Sequence, residues 1–171
     1  MGRPYNSFRW CAVFRLDRVG GVYGQVALGG WVSTNYAALA CSDLPTCHGS
    51  WLPAMDFANA FHVIQSLGVG PDGELLTLEA LRAIHWTHRI GALVTLVLVV
   101  GFVCSLKKMA SGRTPALFLL AMLGVQILLG LSNVWFSLPI PVAVAHNGVA
   151  ATLVVLMVLI NCRSQGLNHR L

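Results

Sequence analysis

The sequence predicts an all-α integral membrane protein: a bundle of four transmembrane helices made of two tandem helical hairpins. Three observations predict it. Of the 171 residues, 56% are hydrophobic and only 10% are charged, where a soluble domain carries about 25% charge. Three runs, 90–106, 114–138 and 139–162, contain no Asp, Glu, Lys or Arg, and a spanning helix needs roughly 20 apolar residues. A short pattern also repeats. Gln25-Val-Ala-Leu-Gly29 recurs as Gln126-Ile-Leu-Leu-Gly130, each time followed by an outward loop and then a helix with a histidine near its outer end.

The chain opens with an atypical segment, 1–18, that holds Arg3, Arg9, Arg15, Asp17 and Arg18. It lacks the clean apolar core and small-residue cleavage site of a signal peptide. The first span is the weakest. Residues 19–40 are uncharged, but the apolar part ends near Val32, and Gly20, Gly21, Gly24, Gly29 and Gly30 crowd it. Extending it backwards brings Arg18, Asp17 and Arg15 into the bilayer, at about 2.5–3.5 kcal/mol for each charge at the centre. Either this helix is short and begins at Val19, or the segment before it is foreign to the architecture. A long outer loop, about 33–81, follows. The second span reaches full length if it starts near Ala83 and runs to Leu106. The third and fourth, 114–138 and 139–162, form one uncharged stretch broken by Pro139 and Pro141, a helical hairpin. Residues 19–162 thus make the four-helix domain, and 163–171 a polar tail.

Charge sets the orientation. Lys107, Lys108 and Arg113 lie between spans two and three, Arg163 and Arg170 follow span four, and four arginines precede span one. Asp43, Asp56, Asp72, Glu74 and Glu79 all fall in the long loop, which has no Lys or Arg before Arg82. The positive-inside rule then places both termini in the cytoplasm and the long loop outside. The formal net charge of +5 is a topology signal; no basic patch with interleaved aromatics points to a nucleic-acid partner. The partner this composition requires is the lipid bilayer.

Two histidines carry the chemistry. His88 and His146 each sit about one turn into an uncharged run. Intramembrane histidine is costly and marks functional sites, although a single one serves equally as a hydrogen-bonded interhelical contact. A pair entering from one membrane face at matching depth suits two axial imidazoles on a haem iron. The repeat is of the parallel kind, related by an axis along the membrane normal, and it sets the two histidines facing each other. Bis-imidazole ligation gives a low-spin, saturated haem suited to structure or electron transfer, and helical bundles build such sites from facing helices. His85, three residues before His88 on nearly the same face, is a third ligand, a second-shell partner or a proton carrier, or simply an interfacial histidine bonded to a loop. Arg89 is placed either to pair with a haem propionate or to snorkel to the outer interface. Gly29 and Gly130 read as close-packing positions, and Asn133 and Asn147 as interhelical hydrogen-bonding groups.

Cys41 and Cys47 stand in the outer loop as Cys-Ser-Asp-Leu-Pro-Thr-Cys, facing an oxidising compartment where disulfides persist. A structural staple and a redox-active dithiol both fit that spacing. Zinc held by Cys41, Cys47, His48 and His62 would match no standard spacing. Cys11, Cys104 and Cys162 read as small apolar residues, and His169 as an unremarkable part of the tail.

The stretch Gly29-Gly-Trp-Val-Ser-Thr-Asn-Tyr-Ala-Ala-Leu-Ala-Cys41-Ser-Asp-Leu-Pro-Thr-Cys47-His-Gly49 resembles the haem A synthase family. So do Trp51-Leu-Pro-Ala-Met-Asp-Phe57, Ile84-His-Trp-Thr-His-Arg-Ile90 and Gly130-Leu-Ser-Asn-Val134. The likeness runs from about Gln25 to Asn161 and is strongest to the carboxy-terminal half of the proteobacterial enzyme. It implies the bacterial inner membrane, with the long loop periplasmic. It implies one four-helix half of an eight-helix fold, holding haem b between His88 and His146, with Cys41 and Cys47 in a disulfide. The family oxidises a methyl group of haem O to a formyl, acting on a CH group. The glutamate implicated in that step lies in the amino-terminal half, three residues before a ligand histidine.

Here that position is His85, so the resemblance implies a cofactor half whose activity alone is in doubt. Its partners would be haem O, a companion four-helix half or a second copy, and a haem O synthase as donor. Residues 1–21 do not look like the family's usual fifth helix or linker, and a truncated or split gene product would account for that. Two alternatives stand beside it: a non-catalytic b-type cytochrome carrying electrons, and a membrane thiol-disulfide oxidoreductase, for which the outer loops hold one cysteine pair where two are usual.

Overall fold

A computed structural model describes the backbone of residues 5–62, 68–70, 73–107 and 112–168, and the side chains of 20–62, 68–70, 73–107 and 112–161. The described residues are helical with no strand, carrying only two isolated bridges, Cys47 with Ser50 and Val69 with Leu75. The elements run in order as α1 (Tyr5–Thr34), a 3-10 turn (Ala37–Leu39), α2 (Phe57–Ala60), α3 (Leu78–Leu106), α4 (Arg113–Trp135) and α5 (Ile140–Asn168).

Three helices are long and apolar enough to cross a membrane among the described residues: Leu78–Leu106, Arg113–Trp135 and Ile140–Asn161. The 23 residues of α4 alone reach ~35 Å at 1.5 Å per residue, against a hydrocarbon core of about 30 Å. The backbone of α1 is helical back to Tyr5, beyond Val19. Its side chains are described only from Gly20, so the charges of the atypical segment 1–18 lie outside the described residues, as do the side chains of 163–171.

Local chemistry fixes the ends. Thr77 caps α3, its side chain accepting from the Ala80 amide at 3.2 Å, and Glu79 adds a negative charge where the helix dipole favours one. The α4–α5 connection turns through Ser137 and Leu138, both with positive φ. Pro139 and Pro141 then sit at the start of α5, where a missing N–H costs nothing.

The long helices pack in a ring, α1 against α3, α3 against α4, α4 against α5, and α5 back against α1. Two apolar clusters hold this ring. One joins Val22 of α1, Val99, Phe102, Val103 and Leu106 of α3, Ala116, Leu119 and Leu123 of α4, and Leu153, Met157 and Ile160 of α5. The other lies at the outer-loop end and joins Val32, Ala37, Ala60, Leu76, Ala80, Ala83 and Ile84. It involves α1, α3 and the loop only. No residue from Gly124 to Thr152 is buried. The outer-loop ends of α4 and α5 therefore contribute no buried residue to either core, only the partly buried Val149 at its edge, and Gln25, His88, Gln126 and His146 lie in sequence between the residues of the clusters.

Candidate functional site

Gln25 lies one turn beyond buried Val22 and two turns short of buried Val32. One helical turn separates Gln25 from Gly29, so both present to the same neighbour, and that neighbour is His88 of α3. The Gln25 carboxamide nitrogen is 3.0 Å from His88 Nδ1 and also donates to the His88 carbonyl oxygen at 3.0 Å. A Cβ on Gly29 would lie 3.2 Å from His88 Cε1. The second hairpin repeats the arrangement. Gln126 Nε2 is 3.2 Å from His146 Nε2, and a Cβ on Gly130 would lie 3.2 Å from His146 Cε1. The structure thus sets each predicted histidine beside the repeated Gln and Gly of its own hairpin.

Gly91 completes the first half. It lies three residues after His88, on the same face, and a Cβ there would overlap the Gln25 carboxamide and come 2.9 Å from Leu28 Cδ1. A side chain there would displace the Gln25 carboxamide from its place on the His88 backbone. Nothing in the sequence singled out Gly91; the signal was its i+3 spacing from a candidate ligand. The carboxamide–imidazole contacts also went unread, because Gln25 and Gln126 stood out only as marks of a repeat.

Arg89 turns the other way. Its Nη1 donates to the Thr46 carbonyl and its Nη2 to the Cys41 carbonyl, both at 2.9 Å, while Nε donates to His85 Nε2 at 3.3 Å. These bonds tie α3 to the outer loop. His85 is 5% exposed; its Nε2 accepts from Arg89, so its proton sits on Nδ1, which has no hydrogen-bond partner. Asn133 leaves its buried Oδ1 without a partner and Asn147 is exposed, so the interhelical bonds expected of them fall to Gln25 and Gln126.

Cys41 and Cys47 form a disulfide with Cα atoms 4.7 Å apart, and both are fully buried. Asp43 organises the loop they close. Its carboxylate accepts from the Thr46 hydroxyl and from the amides of Gly49 and His48. These bonds, the Thr46 hydroxyl foremost, hold its pKa far below the usual carboxylate range. The His48 ring donates to the Ala40 carbonyl at 3.0 Å, and His62 is exposed. Among the described residues no group of three or more His, Cys, Asp or Glu is placed to hold a metal ion, so the zinc set does not assemble. Cys104 is free and exposed; the Cys11 and Cys162 side chains and His169 lie outside the described residues.

The two imidazoles come from opposite hairpins, at each a glycine stands where a Cβ would crowd the ring, and the surrounding stretches of α4 and α5 hold no fully buried residue, so the donor set is compatible with a flat apolar ligand.

Residues 5–158 match the family of cytochrome oxidase assembly proteins, COX15-CtaA. A haem A synthase of Shewanella oneidensis is 41% identical over 138 residues, covering 81% of this chain and 42% of that protein. A haem A synthase of Halalkalibacterium halodurans is 29% identical over 93 residues, covering 54% of this chain and 24% of that one. The chain therefore spans less than half the length of either relative. No solved structure matches it.

Proposed function

The chain belongs to the COX15-CtaA family of cytochrome oxidase assembly proteins, and on that premise we propose that it is the haem b-holding half of a haem A synthase. The observation that carries this reading is the repeated Gln–His–Gly arrangement, in which His88 and His146 each face the glutamine and the glycine of their own hairpin. When bound, haem b between two imidazoles supplies one-electron transfer at a saturated iron.

This chain's own residues do the rest. His88 and His146 each offer a ring nitrogen, on helices whose positions are fixed by the cluster around Val99, Leu123 and Leu153. Gly29 and Gly130 keep the rings from being pushed out of line. Arg89 and the disulfide loop close the outer end and limit access of water. The substrate, haem O, would have its methyl group oxidised to a formyl in a companion half carrying the carboxylate that His85 replaces. Haem O would come from a haem O synthase. The chain would make four spans in a bacterial inner membrane, as the family implies, and the charge pattern favours both termini in the cytoplasm and the disulfide loop in the periplasm. The buried sulfurs favour a structural staple, since exchange needs access to a sulfur.

The test is a reduced-minus-oxidised visible spectrum of the detergent-purified chain beside His88→Ala and His146→Ala. A low-spin b-type spectrum lost in both variants is the expected result. A wild-type chain that folds and takes up no haem sinks the proposal. Haem bound as expected, but no conversion of haem O even with a companion half, favours the b-type electron carrier.

A further inference from the structure

We propose that Gln25 and Gln126 are positioning residues for the two imidazoles, fixing ring orientation and, for His88, tuning the electron density the ring lends to a metal. This rests on the haem b reading and deepens it.

The case begins with an unmet need. The Oε1 atoms of both Gln25 and Gln126 are buried and have no hydrogen-bond partner. A buried carbonyl oxygen left unpaired costs about 1–3 kcal/mol, and the same deficit occurs at both repeat-related positions. Meanwhile each Nε2 sits against an imidazole nitrogen. In the first hairpin this arrangement makes His88 Nδ1 an acceptor, so the ring proton rests on Nε2. A half-turn of the Gln25 carboxamide would bring Oε1 to Nδ1 and give up the donation to the His88 carbonyl oxygen, so the second state is reached by exchanging one contact for the other. The ring proton would then move to Nδ1 and donate to that oxygen, leaving the Nε2 lone pair for a metal. An acceptor behind a ligand histidine fixes its tautomer and raises its basicity. One carboxamide can serve both states because it carries a donor and an acceptor on one planar group.

Gln25 has a second anchor on the His88 carbonyl, made reachable by Gly91. Gln126 contacts the other nitrogen of its ring, His146 Nε2, while His146 Nδ1 is itself buried and unpartnered. Here the ring must turn as well as the amide, so Gln126 holds a looser partner than Gln25 does.

The experiment uses the full chain in detergent with added haem b, comparing wild type, Gln25→Glu, Gln25→Leu, Gln126→Glu, His88→Ala and His146→Ala. Haem titration and a midpoint potential are the readouts. Gln25→Leu keeps the volume but removes the acceptor, and haem affinity should fall about 10- to 100-fold. Gln25→Glu supplies a stronger acceptor, so haem stays bound and the midpoint potential shifts downward as the ferric state is favoured. A side chain that only packs would leave haem affinity unchanged in Gln25→Leu, which keeps the volume and adds no charge. Gln126→Glu should shift the potential in the same direction, and it decides the matter should Gln25→Glu fail to fold. Haem lost in the histidine variants, with affinity and potential unchanged in the glutamine variants, overturns the positioning role alone. Haem kept in both histidine variants, or absent from the wild type, overturns the haem reading and the positioning role together.

Discussion

Replacing Arg89 by Leu should release the disulfide loop from α3. The guanidinium donates to the carbonyls of Cys41 and Thr46, both at 2.9 Å, and a hydrogen bond to a charged group contributes about 1.5–3 kcal/mol. Arg89 is only half-buried and water can replace part of what is lost. The lower figure therefore applies, giving about 3 kcal/mol for the pair. The disulfide closes a loop of sequence separation 6, worth about 2 kcal/mol in chain entropy, so the arginine anchors the loop at least as firmly as the covalent bond does. A loss of about 3 kcal/mol raises the open population on the order of 100-fold. Because both sulfurs are fully buried, the rate at which a small thiol reduces Cys41–Cys47 reports that opening and should rise by a similar factor. Arg89→Lys, a point charge without the fork, should fall between. A reduction rate in Arg89→Leu within about threefold of wild type would refute the anchoring, and a rate difference seen only with haem bound would return Arg89 to the propionate role its position first suggested.

Gly29→Ala and Gly130→Ala place a methyl 3.2 Å from an imidazole carbon. Overpacking costs of about 1–3 kcal/mol should outweigh the gain of up to ~1 kcal/mol from Ala in a helix, and haem uptake should fall. Gly124→Ala, with nothing within 4 Å of its Cβ, should be neutral or stabilising in the same thermal-unfolding assay. Cys41→Ser with Cys47→Ser should lower stability by about 2 kcal/mol while leaving the visible spectrum of bound haem in place; loss of the spectrum would move the disulfide from staple to participant. The depressed pKa of Asp43 means its carboxylate supports the loop fully above the ordinary value of about 4, and that support fades as pH falls below it. Because the attacking thiolate itself becomes scarce in acid, the readout is the rate of thiol reduction relative to an unhindered small disulfide at the same pH; that ratio should be constant from pH 7 to about 5, rise under stronger acid, and lose its acid dependence in Asp43→Asn.

Much of this arrangement was legible because hydropathy and spacing carry it. The uncharged runs marked α3, α4 and α5, and Pro139 with Pro141 marked the turn between the last two. The repeat of Gln-x-x-x-Gly marked His88 and His146 as equivalent positions, and each stands beside its own Gln and Gly. What the sequence hid depends on side-chain direction. Gly91 looked like any glycine of a membrane helix, and only the approach of α1 gives it meaning. Arg89 adjoins a candidate ligand in sequence, yet successive residues on a helix point about 100° apart, which sends its guanidinium into the loop while His88 faces α1. Asn133 and Asn147 were natural candidates for interhelical bonding by type, but polarity alone does not say which side chain reaches a partner.

The absence of any buried residue from Gly124 to Thr152 has a mechanical meaning. The α1–α3 hairpin is clamped at both ends, by the lower cluster and by the packed loop above, and Gly91 draws its helices close. In α5 the residue three after His146 is Val149, and the carboxamide of Gln126 bonds to the ring alone. The first hairpin is therefore held above and below its histidine, and the second chiefly below it. A flat guest would meet its more fully braced wall at the first hairpin.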